Sequence, residues 1–298
     1  MTKHFITIGD IDFRSEVKKI DSSPRHYPRD VLLPGLYKKV ALLFYEPSTR
    51  TSSSFWAAAQ DLNFSVLPIN QVQYSSVAKG ETLEDTIRTI GSYVDGIVLR
   101  HPERGAAAAA AEVSPVPIIN AGDGDGEHPT QTMLDLYTIY KEFGTLEDLI
   151  ITVMGDLKYG RTIHSLVQAL GSTNKFHCIS PEGFELPEEY RHRTRWQSHM
   201  HSSDPKDAEY SLGLSDVLYV VRTQRERFDK RDYLKMKDNC VVTESVADML
   251  NDKAIVMHPF PRTHELPTWF DSDPRARYFQ QMENGLKVRK HILKEIIL

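Results

Sequence analysis

Short apolar runs alternate with stretches of helical period along most of the chain. The run at 40–44, Val-Ala-Leu-Leu-Phe, predicts a buried strand, and a helix is expected around 54–62. A strand at 65–69 follows. Leu83, Ile87, Ile90 and Val94 share one face of a helix over 82–94, and Thr82 with Asp85 suits a capping box at its start. Then come a strand at 96–99, an alanine-rich helix at 106–111, a strand at 116–120, a glycine loop at 122–126 and a helix at 130–143. The series restarts with a strand at 150–154, a helix at 161–170 and strands at 176–179, 217–221 and 254–257. A last helix is expected from Asp273-Pro274, with proline at its first position, carrying Phe279, Met282, Leu286, Ile292 and Leu293. Residues 181–211 match no specific pattern.

This alternation predicts an α/β protein: two doubly wound parallel-sheet domains, helices on both faces, joined by a short hinge at 144–148. The length of 298 residues agrees with about two domains. Composition narrows the function. Lysine plus arginine total 36 against 41 acidic residues, a formal charge of −5, which argues against nucleic acid as a partner but not against a local cationic pocket. Two distant cysteines, Cys178 and Cys240, give neither a disulfide framework nor a cysteine zinc site, and point to a reducing compartment. The start of the chain has no apolar signal core, and no apolar run reaches the ~18 residues of a membrane span. A soluble, cytoplasmic protein is expected.

The densest chemistry lies at 44–55, Phe-Tyr-Glu-Pro-Ser-Thr-Arg-Thr-Ser-Ser-Ser-Phe, between the first strand and the next helix. Hydroxyls, one arginine and the N–H groups of a helix start are what a phosphate needs. The alternative is a hydroxyl-rich helix cap on a solvated turn. Arg50, Arg100, Asp156 and Arg222 each follow an apolar run, and His128 follows one through the glycine loop. Ligands of parallel sheets bind at such strand ends. No G-x-S-x-G, no cysteine beside any of the His-Pro motifs and no G-x-G-x-x-G after a strand is present. Positioning and electrostatic stabilisation are therefore the expected means of catalysis.

Taken in order, the 44–55 motif, Arg100-His101-Pro102, His128-Pro129-Thr130-Gln131, the 155–162 segment Gly-Asp-Leu-Lys-Tyr-Gly-Arg-Thr, the 222–227 segment Arg-Thr-Gln-Arg-Glu-Arg and the 258–262 segment His-Pro-Phe-Pro-Arg resemble the catalytic chains of the aspartate carbamoyltransferase family. The resemblance spans nearly the whole chain and is weakest at 181–211. It implies a carbamoyl-phosphate-binding domain at 1–143, completed by a C-terminal helix at 280–298 that crosses back to it, and an aspartate-binding domain at 144–279. It implies carbamoyl transfer from carbamoyl phosphate to L-aspartate, the committed step of pyrimidine biosynthesis, through a tetrahedral intermediate, with no cofactor and no metal. Ser48, Thr49, Arg50 and Thr51 would hold the phosphate. Thr51, Arg100 and His128 would face the carbamoyl oxygen. Gln131 and the backbone carbonyls of Pro259 and Phe260 would fix the carbamoyl nitrogen. Arg161, Arg222 and Gln224 would bind the two carboxylates of aspartate, which guanidinium forks match bidentately.

Ser75 and Lys79 lie in a polar loop that reads, from its residues, as solvated. The resemblance instead implies that this loop enters the neighbouring subunit's site to touch both substrates, so that a homotrimer is the working unit. Glu46 would bridge Arg161 and Arg227 between domains. Regulatory chains or fusion partners remain open, and Ser52, where many bacterial members carry arginine, resembles the branch found in multifunctional eukaryotic proteins. His101, His164 and His258 read as structural, Trp56 and Trp269 as packing. The nearest rival, an ornithine carbamoyltransferase, would carry a cysteine-containing H-C-L-P loop where this chain has His258-Pro259-Phe260-Pro261. A second rival, an inactive assembly subunit, is disfavoured by the intact Arg50, Lys79, Arg100 and His128.

Overall fold

The computed structural model describes residues 3–22, 37–69, 79–193, 196–201, 205–222 and 240–298. They divide into two compact units, Met1–Tyr137 with Glu283–Leu298, and Thr138–Met282.

The first unit is built on a parallel four-stranded sheet. Its strands are β1 (Lys39–Phe44), β2 (Ser65–Ile69), β3 (Gly96–His101) and β4 (Ile118–Asp123), in the spatial order β2-β1-β3-β4. Strand β1 is buried from its second residue onward, which is why it reads as an unbroken apolar run: a central strand covered on both faces has no polar side. Among the described residues five helices accompany the sheet: α1 (Phe13–Lys19), α2 (Thr49–Asp61), α3 (Leu83–Gly91), α4 (Ala106–Val113) and α5 (Pro129–Phe143). Thr82 caps α3 through its hydroxyl, which accepts from Asp85 N–H. Three of the α4 alanines, Ala106, Ala107 and Ala110, are buried, and two of them join Ala41, Leu43, Ile87, Ile97, Leu99 and Ile118 in one core.

The second unit holds a parallel five-stranded sheet. Strands β5 (Ile150–Met154), β6 (Lys175–Ser180), β7 (Trp196–His201), β8 (Val217–Val220) and β9 (Ile255–Met257) lie in the order β7-β6-β5-β8-β9. Helices α6 (Arg161–Leu170), α7 (Glu188–Arg191), α8 (Pro205–Leu214) and α9 (Glu244–Met249) connect them, and α10 (Tyr278–Ile297) ends the chain, its residues from Glu283 onward counting with the first unit. The core gathers Met154, Ile179, Leu218, Val220, Val256, Leu266, Phe270 and Tyr278. In both sheets the strand order reverses once, between β1 and β3 and between β5 and β8. Such reversals open a crevice at the carboxyl edge of a sheet.

Some elements differ from the sequence reading. The first-motif helix begins at Thr49 rather than near residue 54, so the serine run lies inside α2; the Ser54 hydroxyl donates back to the carbonyls of Arg50 (2.7 Å) and Thr51 (3.0 Å). Asp273-Pro274 does not open the last helix. Residues 275–277 instead run beside β9, with Val256 N–H donating to Arg275 O and Arg277 N–H to Val256 O, and the helix waits until Tyr278. The stretch at 181–211 contributes α7, the edge strand β7 and the start of α8. Trp56 and Trp269 are not core residues; they are 51% and 43% exposed. Among the described residues no helix is long and apolar enough to cross a membrane.

Candidate active site

The carboxyl edge of the first sheet carries the candidate phosphate site. Strand β1 ends at Phe44, and α2 starts five residues later with Ser48 as its N-cap. Ser48 makes no side-chain capping bond, so its hydroxyl is not committed to the helix. The first-turn N–H groups have no acceptor within a helix, which makes this end a natural seat for an anion. Thr51 is buried while Arg50, one residue before it, is exposed. A hydroxyl on the core side and a cation on the solvent side thus flank the same helix start.

Arg100 stands at the end of β3, in register with Phe44 of the neighbouring β1. Its Nη1 donates to Ala121 O at 3.4 Å, and its Nε lies 3.2 Å from Glu46 Oε2. That contact with Glu46 is ionic without the alignment of a hydrogen bond. Strand β4 leads to His128 through the 124–127 loop, which Asp123 at the strand's end organises. Its Oδ1 accepts from Glu127 N–H (2.8 Å) and its Oδ2 from Gly105 N–H (3.0 Å). Gly124 is required here: φ is 54°, and a Cβ would come within 2.5 Å of Pro102 O. His128 is buried at the start of α5, with Nδ1 3.3 Å from Thr130 Oγ1. Gln131 follows, buried, its Nε2 donating to Asp135 Oδ1 at 3.0 Å. Arg50, Arg100 and His128 therefore follow three adjacent strands of one sheet.

The second unit presents its own carboxyl edge. Asp156 follows β5, fully buried, and accepts from Tyr159 N–H at 3.0 Å. Arg161 opens α6, and Arg222 lies just past β8, beside β5. Beyond β9 the 258–265 loop is held from within. His258 is fully buried. Its Nδ1 accepts from Phe260 N–H (2.9 Å), so its proton sits on Nε2 and is donated to Glu265 Oε1 (3.0 Å). Gln281 Oε1 accepts from His258 N–H. Phe260 takes a left-handed φ of 56°, a conformation that a non-glycine residue holds only when its surroundings impose it. Arg262 fixes the outer side of the loop with a double contact to Asp271, whose Oδ1 also accepts from Tyr278 OH (2.6 Å).

The electrostatics agree with the hydrogen bonds. Burial holds His258 below its usual value, and so neutral. Burial pushes the Glu265 carboxyl up, but hydrogen bonds from His258 and Thr263 outweigh it and hold it at about 2. The linkage has a definite sign. The unfolded chain protonates His258 near the ordinary histidine value of 6.5 while the folded chain does not, so the unfolded state binds more protons below that pH. Stability should be full above pH 6.5 and fall on acidification, His258 contributing a slope of at most about 1.4 kcal/mol per pH unit. Buried His101 and His177 act in the same direction. Denaturant midpoints across this pH range should decline more steeply for the parent protein than for His258→Asn; equal slopes would show that His258 is not neutral when folded. Cysteine chemistry has no place in the site. Both cysteines are buried and neither is in a disulfide, and burial, then the charge of Asp156, pushes the Cys240 thiol up to about 12. Among the described residues no group of His, Cys, Asp or Glu is arranged to hold a metal ion.

Residues 3–141 match the family model described as the carbamoyl-P binding domain of aspartate/ornithine carbamoyltransferase, and residues 147–296 match its Asp/Orn binding domain. The chain belongs to the aspartate/ornithine carbamoyltransferase family. Within it, the aspartate carbamoyltransferase catalytic subunit of Archaeoglobus fulgidus is 44% identical over 308 aligned residues, covering 100% of both chains. The multifunctional protein pyr1-3 of Dictyostelium discoideum is 48% identical over 264 residues, which cover 88% of this chain but only 12% of that protein. Among solved structures, the aspartate transcarbamoylase of Trypanosoma cruzi in complex with N-(phosphonacetyl)-L-aspartic acid superposes with a TM-score of 0.86 at 36% identity, covering 100% of this chain and 97% of that one. The catalytic subunit from M. jannaschii gives 0.85 at 41% identity, covering 99% and 98%.

Set on this carbamoyltransferase fold, the expected site residues divide by unit. Ser48, Thr49, Arg50, Thr51, Arg100, His128 and Gln131 share the carboxyl edge of the first sheet. Arg161, Arg222, Pro259 and Phe260 share that of the second. Lys79 is exposed, one turn before the Thr82 cap of α3. Ser75, Gln224 and Arg227 lie outside the described residues. His101 and His164 have structural partners: His101 Nδ1 accepts from Glu103 N–H, and His164 bonds Leu157 O while stacking on Tyr190. Sequence reasoning passed over Asp135 and Glu265. The spacing of Gln131 and Asp135, one helical turn apart, was a signal for the first. Nothing local announced the second.

Proposed function

We propose that the protein transfers the carbamoyl group of carbamoyl phosphate to the amine of L-aspartate, giving N-carbamoyl-L-aspartate and phosphate. One observation carries the reading. A single chain places an anion-ready helix start with arginine and a buried histidine at one switch-point edge, and Arg161 with Arg222 at the other. The Trypanosoma cruzi enzyme has been captured with carbamoyl aspartate and phosphate, the two products of such a reaction.

The residue roles in this reading follow from charge flow. The amine attacks the carbamoyl carbon, negative charge moves to the carbonyl oxygen, and then phosphate leaves. Thr51, Arg100 and His128 stabilise the oxyanion, and Arg50 with the first-turn N–H groups of α2 takes up the charge that grows on phosphate. With Thr130 Oγ1 donating to His128 Nδ1, the ring presents Nε2–H as the donor. Gln131 and the carbonyls of Pro259 and Phe260 receive the carbamoyl N–H groups. Arg161, Arg222 and Gln224 hold the two carboxylates, while Glu46 joins Arg161 and Arg227. Ser75 and Lys79 are assigned to the site of a neighbouring subunit in a homotrimer. In this reading the reaction belongs to cytoplasmic pyrimidine biosynthesis.

Purified protein, carbamoyl phosphate and either aspartate or ornithine test the reading by phosphate release. Aspartate should support turnover and ornithine should not. Turnover with ornithine alone, or with neither amine, would overturn it.

A further inference from the structure

Gln131 is a symmetric-looking group with asymmetric chemistry. Its amide can present either a carbonyl oxygen, which accepts, or an NH2, which donates. A carbamoyl group and an acetyl group have the same shape and differ by NH2 against CH3. Only a Gln131 that presents oxygen can tell them apart favourably. What decides which end faces outward is therefore a selectivity question.

The answer lies one turn further along α5. Asp135 is fully buried, and its Oδ1 accepts from Gln131 Nε2 at 3.0 Å. A carboxylate can only accept, so the amide end turned toward it must be the nitrogen. The condition is that Asp135 stays ionised in a buried place, which calls for a counter-charge. Arg289 of α10 supplies one. Its side chain is 5% exposed and lies 5.4 Å over the Phe55 ring of α2, and its charge interacts with Asp135. Gly285 makes the room: a Cβ there would come within 2.6 Å of Arg289 Nη1 and 3.3 Å of Leu134, the neighbour of Asp135. Burial lowers the Arg289 value to about 10, which still leaves it cationic at neutral pH.

Resting on the carbamoyl-phosphate reading of this site, we propose that Asp135 is a positioning residue that locks Gln131 with its carbonyl oxygen toward the substrate and so selects a carbamoyl group over an isosteric acyl group. Asp135 does not touch the substrate. It acts by forbidding the flipped amide. Replacing it with asparagine inverts the logic. The asparagine oxygen turns to the Arg289 guanidinium, its NH2 faces Gln131, and Gln131 must then offer its own oxygen inward and its NH2 outward.

Two stable phosphonates provide the probe: phosphonoacetamide, which carries the NH2, and acetonylphosphonate, which carries CH3 in its place. Their dissociation constants are measured by calorimetry on the intact protein and on Asp135→Asn and Asp135→Glu. The parent should prefer the amide. In Asp135→Asn the amide should weaken by roughly tenfold or more, the size of one hydrogen bond lost and one donor opposed, with the ketone unchanged to within about twofold. Asp135→Glu should retain the preference. Equal weakening of both ligands would mark Asp135 as merely structural and overturn the proposal, as would no change in either. Should Asp135→Asn fail to fold, the parent decides by NMR. The Gln131 NH2 signals, assigned through Gln131→Ala, should resist solvent exchange and barely move on adding phosphonoacetamide. Large shifts and fast exchange would place the nitrogen outward and refute the lock. Failure of the parent to bind either phosphonate would remove the carbamoyl-phosphate reading itself, and this inference with it.

Discussion

Replacing Arg50 with alanine should leave a folded protein with almost no activity. Arg50 sits in the first turn of α2 and is exposed, so no core packing depends on it. Its neighbours keep the rest of the phosphate seat: the Ser48 and Thr51 hydroxyls and the first-turn N–H groups persist in the variant. What disappears is the cation that follows charge as it moves from the carbonyl oxygen to the leaving phosphate. An interaction that strengthens along the reaction coordinate is worth more in the transition state than in the bound substrate. Loss of such a contact costs about 3–4 kcal/mol, or roughly 10²–10³ in rate. The loss should fall mainly on kcat, with carbamoyl phosphate binding weakened less. Phosphate release under saturating substrates, with circular dichroism as the folding control, measures it. Turnover within a few-fold of the parent would mean that the phosphate lies elsewhere.

The parts of this molecule that could be read along the chain are those governed by local rules. Strand β1 is central and doubly covered, so its apolar run was unmistakable. Arg100 and Arg222 stand at the carboxyl ends of such runs, and a parallel sheet sends strand ends to the ligand side, so their placement followed from the pattern. The exceptions share a cause. Strand β7 is an edge strand with a mixed sequence, Trp-Gln-Ser-His-Met-His, defined by pairing with β6 rather than by periodicity. The 275–277 segment looked like a helix start because Asp-Pro suits one, yet pairing with β9 took it. The helix was expected only from about residue 54, yet it starts at Thr49 and takes in Ser52 to Ser54, the Ser54 hydroxyl bonding back to it. Asp135 and Glu265 were invisible for a further reason. Each acts through a partner, Gln131 or His258, and only the fold shows that a buried acid faces that partner.

The second large effect concerns assembly. Two variants, Lys79→Ala and Arg50→Ala, should each be inactive alone and should regain activity when mixed. Lys79 is exposed on its own chain, ahead of α3. An exposed lysine in a polar loop has no obvious task within one subunit, but in the proposed homotrimer it completes the neighbour's site. Each site then takes Arg50 from one chain and Lys79 from the next. In a trimer of two Lys79→Ala chains and one Arg50→Ala chain, one interface joins an intact Arg50 to an intact Lys79. A second joins two defective copies, and the third lacks Lys79. The opposite mixture gives one good site as well. Random reassembly of equal amounts should therefore restore about one quarter of the parent activity, since cyclic symmetry fixes one complete site in every mixed trimer. If Lys79 served its own chain, every site in every mixture would lack one group and no activity could return. Dissociation, mixing and reassembly, followed by phosphate release and native mass measurement, separate the two cases. A mixture that contains hybrid trimers and remains inactive would place Lys79 outside any shared site.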